Sequence, residues 1–226
     1  MMSQQAAQSW RIAVAGEPDL DEAVAVYLDV FLQDEPIVRS LGLDPAAMRP
    51  VARRLAEANF TRGLSLLARE AQGGAVIGFI FCDDLADDSG AGLMSQLPAS
   101  LRQRLAPALA LLERLRAPLK AGPPIVPGQV LHIAAIGTAP AWRGRGLATA
   151  LLSRAVDLGG ERGFALAVAE CSSAASVRCH QRCGFQKAGQ LPYATFEHDG
   201  TRPFAPLDGD CVLMKRPLGA PSADGR

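Results

Sequence analysis

The feature that most constrains the fold is a Gly/Arg-rich turn that joins an apolar run to an amphipathic one. Residues 129–138 (QVLHIAAIGT) have the composition of a buried strand, and residues 148–163 (ATALLSRAVDLGGERG) repeat apolar side chains at helical spacing. Between them, RGRGLA at 143–148 places Gly144 and Gly146 where the chain has to turn tightly. The backbone amides of such a turn, with the positive end of the following helix dipole, can hold a pyrophosphate group.

Strands and helices alternate along the chain, and this order predicts an α/β (α+β) fold. In the second half, the order strand, turn, helix, strand implies a parallel pair of strands with a right-handed crossover. Two apolar runs on either side of a turn at Gly73 and Gly74 predict a β-hairpin. The predicted strands are 11–15, 64–70, 75–82, 129–138, 164–170, 185–188 and 211–215, and the predicted helices are 18–33, 44–58, 148–163 and 172–185.

The chain length, 226 residues, suits one globular domain with an elaboration. Residues 83–128 differ from the rest: a loop-like acidic start is followed by leucines at helical spacing and then by a Pro/Gly-rich breaker. We interpret this segment as a helical insertion. We expect a flexible N-terminus at 1–10, a single domain at 11–216 and a disordered tail at 217–226.

Charge and cysteine content exclude several classes of protein. Lys and Arg together number 23, as do Asp and Glu, so no overall basic field attracts nucleic acid or an anionic membrane. The five cysteines include no CxxC pair, which argues against a disulfide framework or a zinc finger and fits a reducing cytoplasm. No apolar stretch approaches the roughly 18 residues that cross a bilayer. We expect a cytoplasmic monomer or homodimer without a metal, whose partner is small or locally recognised.

Arg143 to Ala148 satisfy the pattern Gln/Arg-x-x-Gly-x-Gly/Ala, and the helix predicted at 172–185 ends in Cys183, Gly184 and Phe185. This pattern and the element order resemble the GNAT superfamily of N-acetyltransferases. The resemblance implies acetyl-CoA as cofactor and a mixed central sheet of about six to seven strands, flanked by helices, in which two parallel strands splay apart. Neither a GxxxxGK[ST] motif nor a GxGxxG motif is present, which excludes a P-loop and a dinucleotide fold.

The resemblance also implies where the cofactor is held. Pantetheine pairs with exposed backbone between the splayed strands, and Ile136 and Thr138 match the positions that make those bonds. Gly137 is compatible with the bulge that splaying needs, or alternatively lies where another backbone packs closely. Arg143 and Arg145 can add charge to the phosphates. The predicted cofactor-binding residues are Ile136, Gly137, Thr138, Arg143, Gly144, Arg145, Gly146, Leu147 and Ala148.

Acetyl transfer to an amine requires a base for the amine and an acid for the leaving thiolate. Ser172, Ser176 and His180 recur every four residues and form one stripe along a helix. His180 lies four residues before Gly184, where many GNAT enzymes have the tyrosine that protonates the coenzyme thiolate, and imidazole can do the same work. The alternatives are that His180 is half-exposed surface and that Ser172 is an ordinary helix N-cap.

A narrower resemblance, to the insect-type arylalkylamine N-acetyltransferases, rests on three segments. They are DEPI at 34–37, SLGL at 40–43 and GLSLLARE at 63–70. In that family an Asp-Glu-Pro segment contributes a catalytic glutamate, which Glu35 matches, and two serines precede the Gly-Phe pair, matched here by Ser172 and Ser176. Alternatively, Glu35 is merely an acidic residue at a helix C-terminus, a position that the helix dipole disfavours.

His132 stands eleven residues before Arg143, where the related vertebrate serotonin N-acetyltransferases carry the first of two active-site histidines. Ala134 occupies the position of the second. Strand alternation predicts that His132, Ala134, Ile136 and Thr138 share one face, so His132 points either into an acceptor pocket or into the core.

Together these features predict direct transfer of an acetyl group from acetyl-CoA to a primary amine of a small molecule, of arylalkylamine or polyamine type. Residues 34–42 and the insertion are expected to form the acceptor pocket. A non-catalytic acyl-CoA-binding regulatory module and a protein N-acetyltransferase stay open as alternatives. The predicted catalytic residues are Glu35 as base, His132 as auxiliary, His180 as acid, and Ser172 and Ser176 as orienting or proton-relaying groups.

Overall fold

A computed structural model of the protein describes residues 9–87 and 95–219, within which seven strands form a single sheet. The strands are β1 (Trp10–Val14), β2 (Leu66–Glu70), β3 (Val76–Asp84), β4 (Val130–Thr138), β5 (Leu166–Cys171), β6 (Gln186–Pro192) and β7 (Asp210–Pro217). Their order across the sheet is β1-β2-β3-β4-β5-β7-β6, and among these neighbours β4 and β5 form the parallel pair. The predicted hairpin (β2 and β3) and the predicted mixed sheet are confirmed.

Helices cover both faces of this sheet. They are α1 (Leu20–Asp34), α2 (Pro36–Ser40), α3 (Pro45–Phe60), α4 (Ala99–Lys120), α5 (Leu147–Glu161) and α6 (Ala174–Arg182). On one face, α5 buries Leu151 and Leu152 completely. On the other, Tyr27 of α1 and Phe60 of α3 both contact the ring of Phe81, with centroids 5.8 and 5.5 Å away. Each such buried side chain contributes about 1.5–3 kcal/mol of transfer free energy, so both faces of the sheet are fixed by packing.

The parallel pairing of β4 with β5 is short. Its last residue pair is Ile133 with Ala169. Beyond this pair, β4 runs on to Thr138 with no described strand beside it on that side, while β5 continues next to β7. The two parallel strands therefore separate, as expected, and leave an opening between them.

A β-bulge lies where the separation begins. Phe81 of β3 is opposite Ala135, but the next residue, Cys82, is opposite Ile133, so Ala134 is the extra residue of β4. A bulge bends its strand and increases the local twist, which turns the end of β4 away from β5.

The bulge also changes which side chains share a face. Leu131, Ile133 and Ile136 pack on the α5 side of the sheet, whereas Ala135 packs on the α1 and α3 side. The prediction that His132 shares a face with Ile136 is therefore wrong, because it assumed unbroken alternation through Ala134. His132 instead lies on the face that carries α1 and α3.

The described part of the insertion is dominated by α4, which packs inward along its whole length; residues 88–94 lie outside the described residues. Leu101 and Leu105 join the cluster under α1 and α3, while Leu111 and Leu115 pack around Tyr193, near the ends of β6 and β7. The regularly spaced leucines of α4 are thus core residues. They pack α4 against the cluster under α1 and α3 and against the cluster around Tyr193.

The two predicted terminal segments, 1–10 and 217–226, fall largely outside the described residues. Within the described part, β1 begins at Trp10 and β7 ends at Pro217.

Candidate active site

The opening between β4 and β5 presents the backbone of β4. The N–H of Ala139 donates to the carbonyl of Ile77, on the β3 side, at 2.9 Å. Because backbone groups of successive residues point to opposite sides of a strand, the N–H and C=O groups of Thr138 and Ile136 point toward the opening. The hydroxyl of Thr138 is buried and finds no hydrogen-bond partner among the described residues. An extended chain can therefore pair with this edge as an added strand.

Gly137 has a packing role and does not form the bulge, which lies at Ala134. A Cβ at position 137 would lie 2.6 Å from Cε1 of Phe79 and 2.8 Å from Cγ1 of Val30. Glycine is required because the Phe79 ring of β3 and Val30 of α1 both pack closely against this part of β4. Of the two predicted explanations, close packing holds, although the neighbours are side chains rather than backbone.

The turn between β4 and α5 adopts the conformation that its glycines allow. Gly144 and Gly146 have φ angles of 73° and 82°, in the left-handed region, and a Cβ at either would meet nothing within 4 Å. Backbone conformation, rather than crowding, therefore calls for glycine at both positions. Leu147, 1% exposed, anchors the first residue of α5 in the core.

Two arginines of this turn are held in place by neighbours. Arg143 forms an ion pair with Asp34 at the end of α1, and its Nε donates to the carbonyl of Thr138 at 3.3 Å. The guanidinium of Arg145 lies 4.9 Å from the ring centroid of Trp142, a cation–π contact. Both cations stay beside the start of α5, whose first amides have no partner within the helix.

This donor set fits coenzyme A. The edge of β4 that no described strand covers, and the Thr138 hydroxyl, which has no partner among the described residues, suit the amide groups of pantetheine. Left-handed glycines, helix-start amides and two fixed cations suit a pyrophosphate. The two left-handed glycines and the helix that starts at Leu147 are present where the sequence predicts them.

Glu35 lies between two helices and is shared by both. Its backbone N–H ends α1 by bonding to Phe31, and its carboxylate caps α2 by accepting from the N–H of Val38 at 2.5 Å. The carboxylate thus faces the positive N-terminal end of α2. The dipole of α2 favours its negative charge, which offsets the unfavourable dipole at the C-terminus of α1. Burial raises the pKa of Glu35, and hydrogen bonds from Ser172 and the α2 backbone oppose this only in part.

Ser172 follows β5 directly and is free to reach Glu35 because it is not the cap of α6. Ser173 is the N-cap: its hydroxyl accepts from the N–H of Ser176 at 3.2 Å. The carbonyl of Ser172 accepts a hydrogen bond from the hydroxyl of Tyr193 at 2.7 Å. Glu35 and Ser172, 137 residues apart in sequence, are close enough for the Ser172 hydroxyl to lower the pKa of the Glu35 carboxyl.

His180 is buried, 1% exposed, and its ring meets that of Phe185 edge-on at 5.0 Å. Its Nδ1 lies 2.9 Å from the carbonyl of Ser176, 3.5 Å from the Ser176 hydroxyl and 3.3 Å from Sγ of Cys171. Burial lowers the pKa of His180, and the Ser176 carbonyl opposes this only partly. The neutral ring places its proton on Nδ1, and Nε2 has no hydrogen-bond partner among the described residues.

His132 is also buried but lies between two carboxylates. Nδ1 is 2.8 Å from Asp83 and Nε2 is 2.8 Å from Glu170. Burial alone would lower the pKa of His132, but the charges of the two carboxylates outweigh it and raise the pKa to about 10. At neutral pH the ring is an imidazolium that donates from both nitrogens.

Sequence reasoning missed four residues around this site. Asp83, Glu170 and Arg116 surround His132, and Tyr193, considered only as a possible aromatic contact, fixes the segment after β5. Charged residues next to a predicted strand gave a weak signal, because nothing in the sequence indicates that they are buried together.

Comparisons with known proteins agree with this geometry. A model of the acetyltransferase (GNAT) family matches residues 42–185, more than half of the chain. No curated protein matches at the sequence level. Among the described residues, no helix combines the length and apolarity needed to cross a membrane.

Solved acetyltransferase structures share the fold at low identity. Arylalkylamine N-acetyltransferase 2 of Aedes aegypti has a TM-score of 0.78 at 17% identity, covering 94% of this chain and 100% of its own. The polyamine N-acetyltransferase of Drosophila melanogaster has a TM-score of 0.70 at 21% identity, covering 91% and 97%. A phosphinothricin acetyltransferase of Sinorhizobium meliloti, solved with AcCoA, has a TM-score of 0.54 at 19% identity, covering 96% and 93%.

Proposed function

The chain belongs to the GNAT acetyltransferase family, and from that premise we propose that it transfers an acetyl group from acetyl-CoA directly to a primary amine of a small molecule. The acceptor is of arylalkylamine or polyamine type. The observation that carries the proposal is the Glu35 carboxylate, which caps α2 at Val38 and lies near Ser172, and whose pKa is raised by burial.

Glu35 is the base. An amine attacks only when neutral, and most ammonium groups keep their proton near pH 7. Because burial raises the pKa of Glu35, its carboxylate is a stronger base than an exposed glutamate would be. Ser172 and the N–H of Val38 hold the carboxylate in one orientation while it takes the proton.

The β4 edge and the Gly/Arg turn bind the acyl donor. Ile136 and Thr138 offer backbone groups to pantetheine, Gly144 to Ala148 offer amides to the pyrophosphate, and Arg143 adds charge. When bound, acetyl-CoA supplies the acetyl group as a thioester with a thiol as leaving group. The ion pair of Arg143 with Asp34 joins this binding turn to the segment that carries Glu35.

Two serines form the route by which a proton returns to the leaving sulfur. Ser172 lies near Glu35, just before the N-cap of α6, and Ser176 lies in the first turn of that helix. His180 supports Ser176 in this proposal and does not donate directly, because its pKa is lowered and its Nδ1 proton is directed at the Ser176 carbonyl. His132 takes no proton, because both of its nitrogens already donate.

The acceptor side is framed by α2 and α4. Glu35 is the N-cap of α2, whose Ile37 is buried with Leu111 and Leu115 of α4 and with Tyr193. Apolar side chains around a partly buried carboxylate suit an amine carried on an apolar or extended aliphatic body. The names of the Aedes and Drosophila structures, which act on arylalkylamines and polyamines, support the same class.

The test is an acceptor screen that measures free thiol release from acetyl-CoA together with the mass of the acetylated product. The panel holds arylalkylamines, diamines and polyamines, amino acids and aminoglycosides. We expect turnover with the first two groups. Binding of acetyl-CoA without release under any acceptor would instead favour a regulatory module, and acetylation of protein N-termini or lysines alone would favour a protein acetyltransferase.

A matched pair of glycine variants tests the binding turn. Gly146→Ala and Gly200→Ala each force a left-handed residue to carry a Cβ that meets no neighbour, so each costs roughly 1–2 kcal/mol of backbone strain. We expect weaker acetyl-CoA binding, measured by calorimetry, in Gly146→Ala only. Equal affinity in the two variants would contradict the assignment of the turn.

A further inference from the structure

A histidine between two carboxylates is a costly arrangement in a protein core. The His132 side chain is 11% exposed, and those of Asp83 and Glu170 are 13% and 6% exposed. Buried charges persist only when they are paired and hydrogen-bonded, because their desolvation costs several kcal/mol each. Both nitrogens of His132 meet a carboxylate oxygen at 2.8 Å, so the pairing is complete on the imidazole side.

The position of this cluster in the sheet is informative. His132 pairs with Val168 one step before the last parallel pair, Ile133 with Ala169. Glu170 is the first residue of β5 beyond that pair. The contact of His132 with Glu170 therefore joins β4 and β5 at the closed end of the opening, and Asp83 joins the same point to β3.

The cluster also reaches the insertion. Nε of Arg116, on α4, lies 3.3 Å from the second carboxylate oxygen of Glu170. The named members are two carboxylates and two cations, one from each of β3, β4, β5 and α4. Arg116 is 23% exposed at its side chain and is the member closest to solvent.

We infer that His132 is a positioning residue: as a charged imidazolium it fastens β4 to β5 at the closed end of the opening, and Arg116 extends this fastening to α4. The inference rests on the proposed function, since the opening it shapes is the one assigned to acetyl-CoA. Without the fastening, two buried carboxylates would face each other across the strands, and repulsion would change the angle of the opening.

The protonation states agree with this role. The charges of Asp83 and Glu170 more than offset the effect of burial and raise the pKa of His132 to about 10. Burial acts to raise the pKa of Glu170, but His132 and then Arg116 outweigh it, so that the pKa is lowered. His132 and Glu170 thus keep their charges across the pH range in which the amine chemistry runs.

The first test measures the protonation state of His132 in the full chain. The method is nitrogen-15 NMR of the imidazole rings during a pH titration. We expect both ring nitrogens to stay protonated above pH 7, with a midpoint of about 10 that falls in Glu170→Gln. A wild-type midpoint near the ordinary value of about 6.5 would overturn the inference. This measurement needs no turnover, so it is independent of the proposed function.

The second test separates positioning from proton transfer. His132→Gln should raise the dissociation constant of acetyl-CoA roughly three- to tenfold and leave the acidic limb of the kcat/KM profile where Glu35 sets it. If this variant does not fold, Glu170→Gln gives the same two readings. If His132→Gln lost or shifted the acidic limb of the kcat/KM profile and bound acetyl-CoA as tightly as the wild type, the inference would be overturned. His132 would then act as a base.

The third test concerns α4. Arg116→Met removes the link to Glu170, and Arg114→Met is the control, since Arg114 is exposed on the same helix. We expect Arg116→Met to raise the acceptor KM roughly three- to tenfold, with kcat nearly unchanged and Arg114→Met like the wild type. The same KM in both variants would overturn the extension to α4.

Discussion

Replacing Glu35 by glutamine separates the two roles of its carboxylate. One role is structural, because an oxygen of the side chain caps α2 at Val38, and glutamine keeps an oxygen that can accept this bond. The other is chemical, because only a carboxylate can take a proton from the amine. Alanine removes both roles, so the pair of variants Glu35→Gln and Glu35→Ala distinguishes them.

The expected magnitudes differ by role. Loss of a positioned general base lowers the rate about 10²- to 10⁴-fold. At 1.36 kcal/mol per tenfold, this is about 2.7–5.4 kcal/mol of transition-state stabilisation. Loss of the N-cap in Glu35→Ala adds a folding cost of about 0.5–2 kcal/mol. Glu35→Gln avoids that cost.

The pH dependence of stability and of kcat/KM is a second way to measure the effect of Glu35→Gln. Since the folded pKa of Glu35 is raised, the folded state binds the proton more tightly, and the stability contributed by this group falls as pH rises through its folded pKa. At neutral pH, Glu35→Gln should therefore be at least as stable as the wild type. The acidic limb of the kcat/KM profile, which reports protonation of Glu35, should disappear.

The assay is thiol release with one identified acceptor, combined with urea unfolding of the same preparations. Glu113→Gln is the control for loss of a negative charge, because Glu113 is exposed on α4. Activity of Glu35→Gln within about threefold of the wild type, with its acidic limb intact, would refute the assignment of the base and leave the fold and family unaffected.

Three further predictions follow from single contacts. Gly137→Ala should lower the free energy of unfolding by about 1–3 kcal/mol, because its Cβ would lie 2.6 Å from the ring of Phe79. The measurement is urea denaturation. The control is Gly189→Ala, because a Cβ at position 189 would meet its nearest neighbour only at 3.9 Å. Tyr193→Phe removes the hydrogen bond to the Ser172 carbonyl and should lower the free energy of unfolding by about 0.5–1.5 kcal/mol and also lower kcat. Urea unfolding and thiol release, measured on the same preparation, check both effects. Because the folded pKa of His132 is raised to about 10, its contribution to stability is complete below its unfolded pKa and is lost as pH rises toward 10. Urea unfolding at several pH values should therefore show a free energy of unfolding that depends less on pH in His132→Gln than in the wild type. The same pH dependence in both proteins would contradict the charge assigned to His132.

Much of the fold was predictable because it depends on local patterns. Two apolar runs around a Gly-Gly turn predicted the hairpin of β2 and β3, and a glycine-rich turn before a periodic helix predicted the connection from β4 to α5. Gly144 and Gly146 were predictable for the same reason: the need for left-handed φ angles is a property of the turn itself.

Patterns failed where one residue changed the register. The bulge at Ala134 breaks the alternation of β4, and it moves His132 to the face opposite Ile136. Periodicity carries no mark of an inserted residue, so the sequence left open whether Gly137 forms a bulge or lies at a close contact. The close contact holds: glycine is explained by the nearness of Phe79 and of Val30 on α1, which no local pattern contains.

The sequence alone determined the tight glycine turn and the helix start at residues 143–148, because the need for left-handed glycines and the start of a periodic helix are local to that segment; the pyrophosphate expected there stays a prediction. Tertiary structure decided the surroundings of the titratable side chains. The nearness of Glu35 to Ser172 and the enclosure of His132 by Asp83 and Glu170 join segments far apart in the chain. Burial and charge at such contacts set whether a side chain accepts a proton, and both depend on neighbours that only folding brings together.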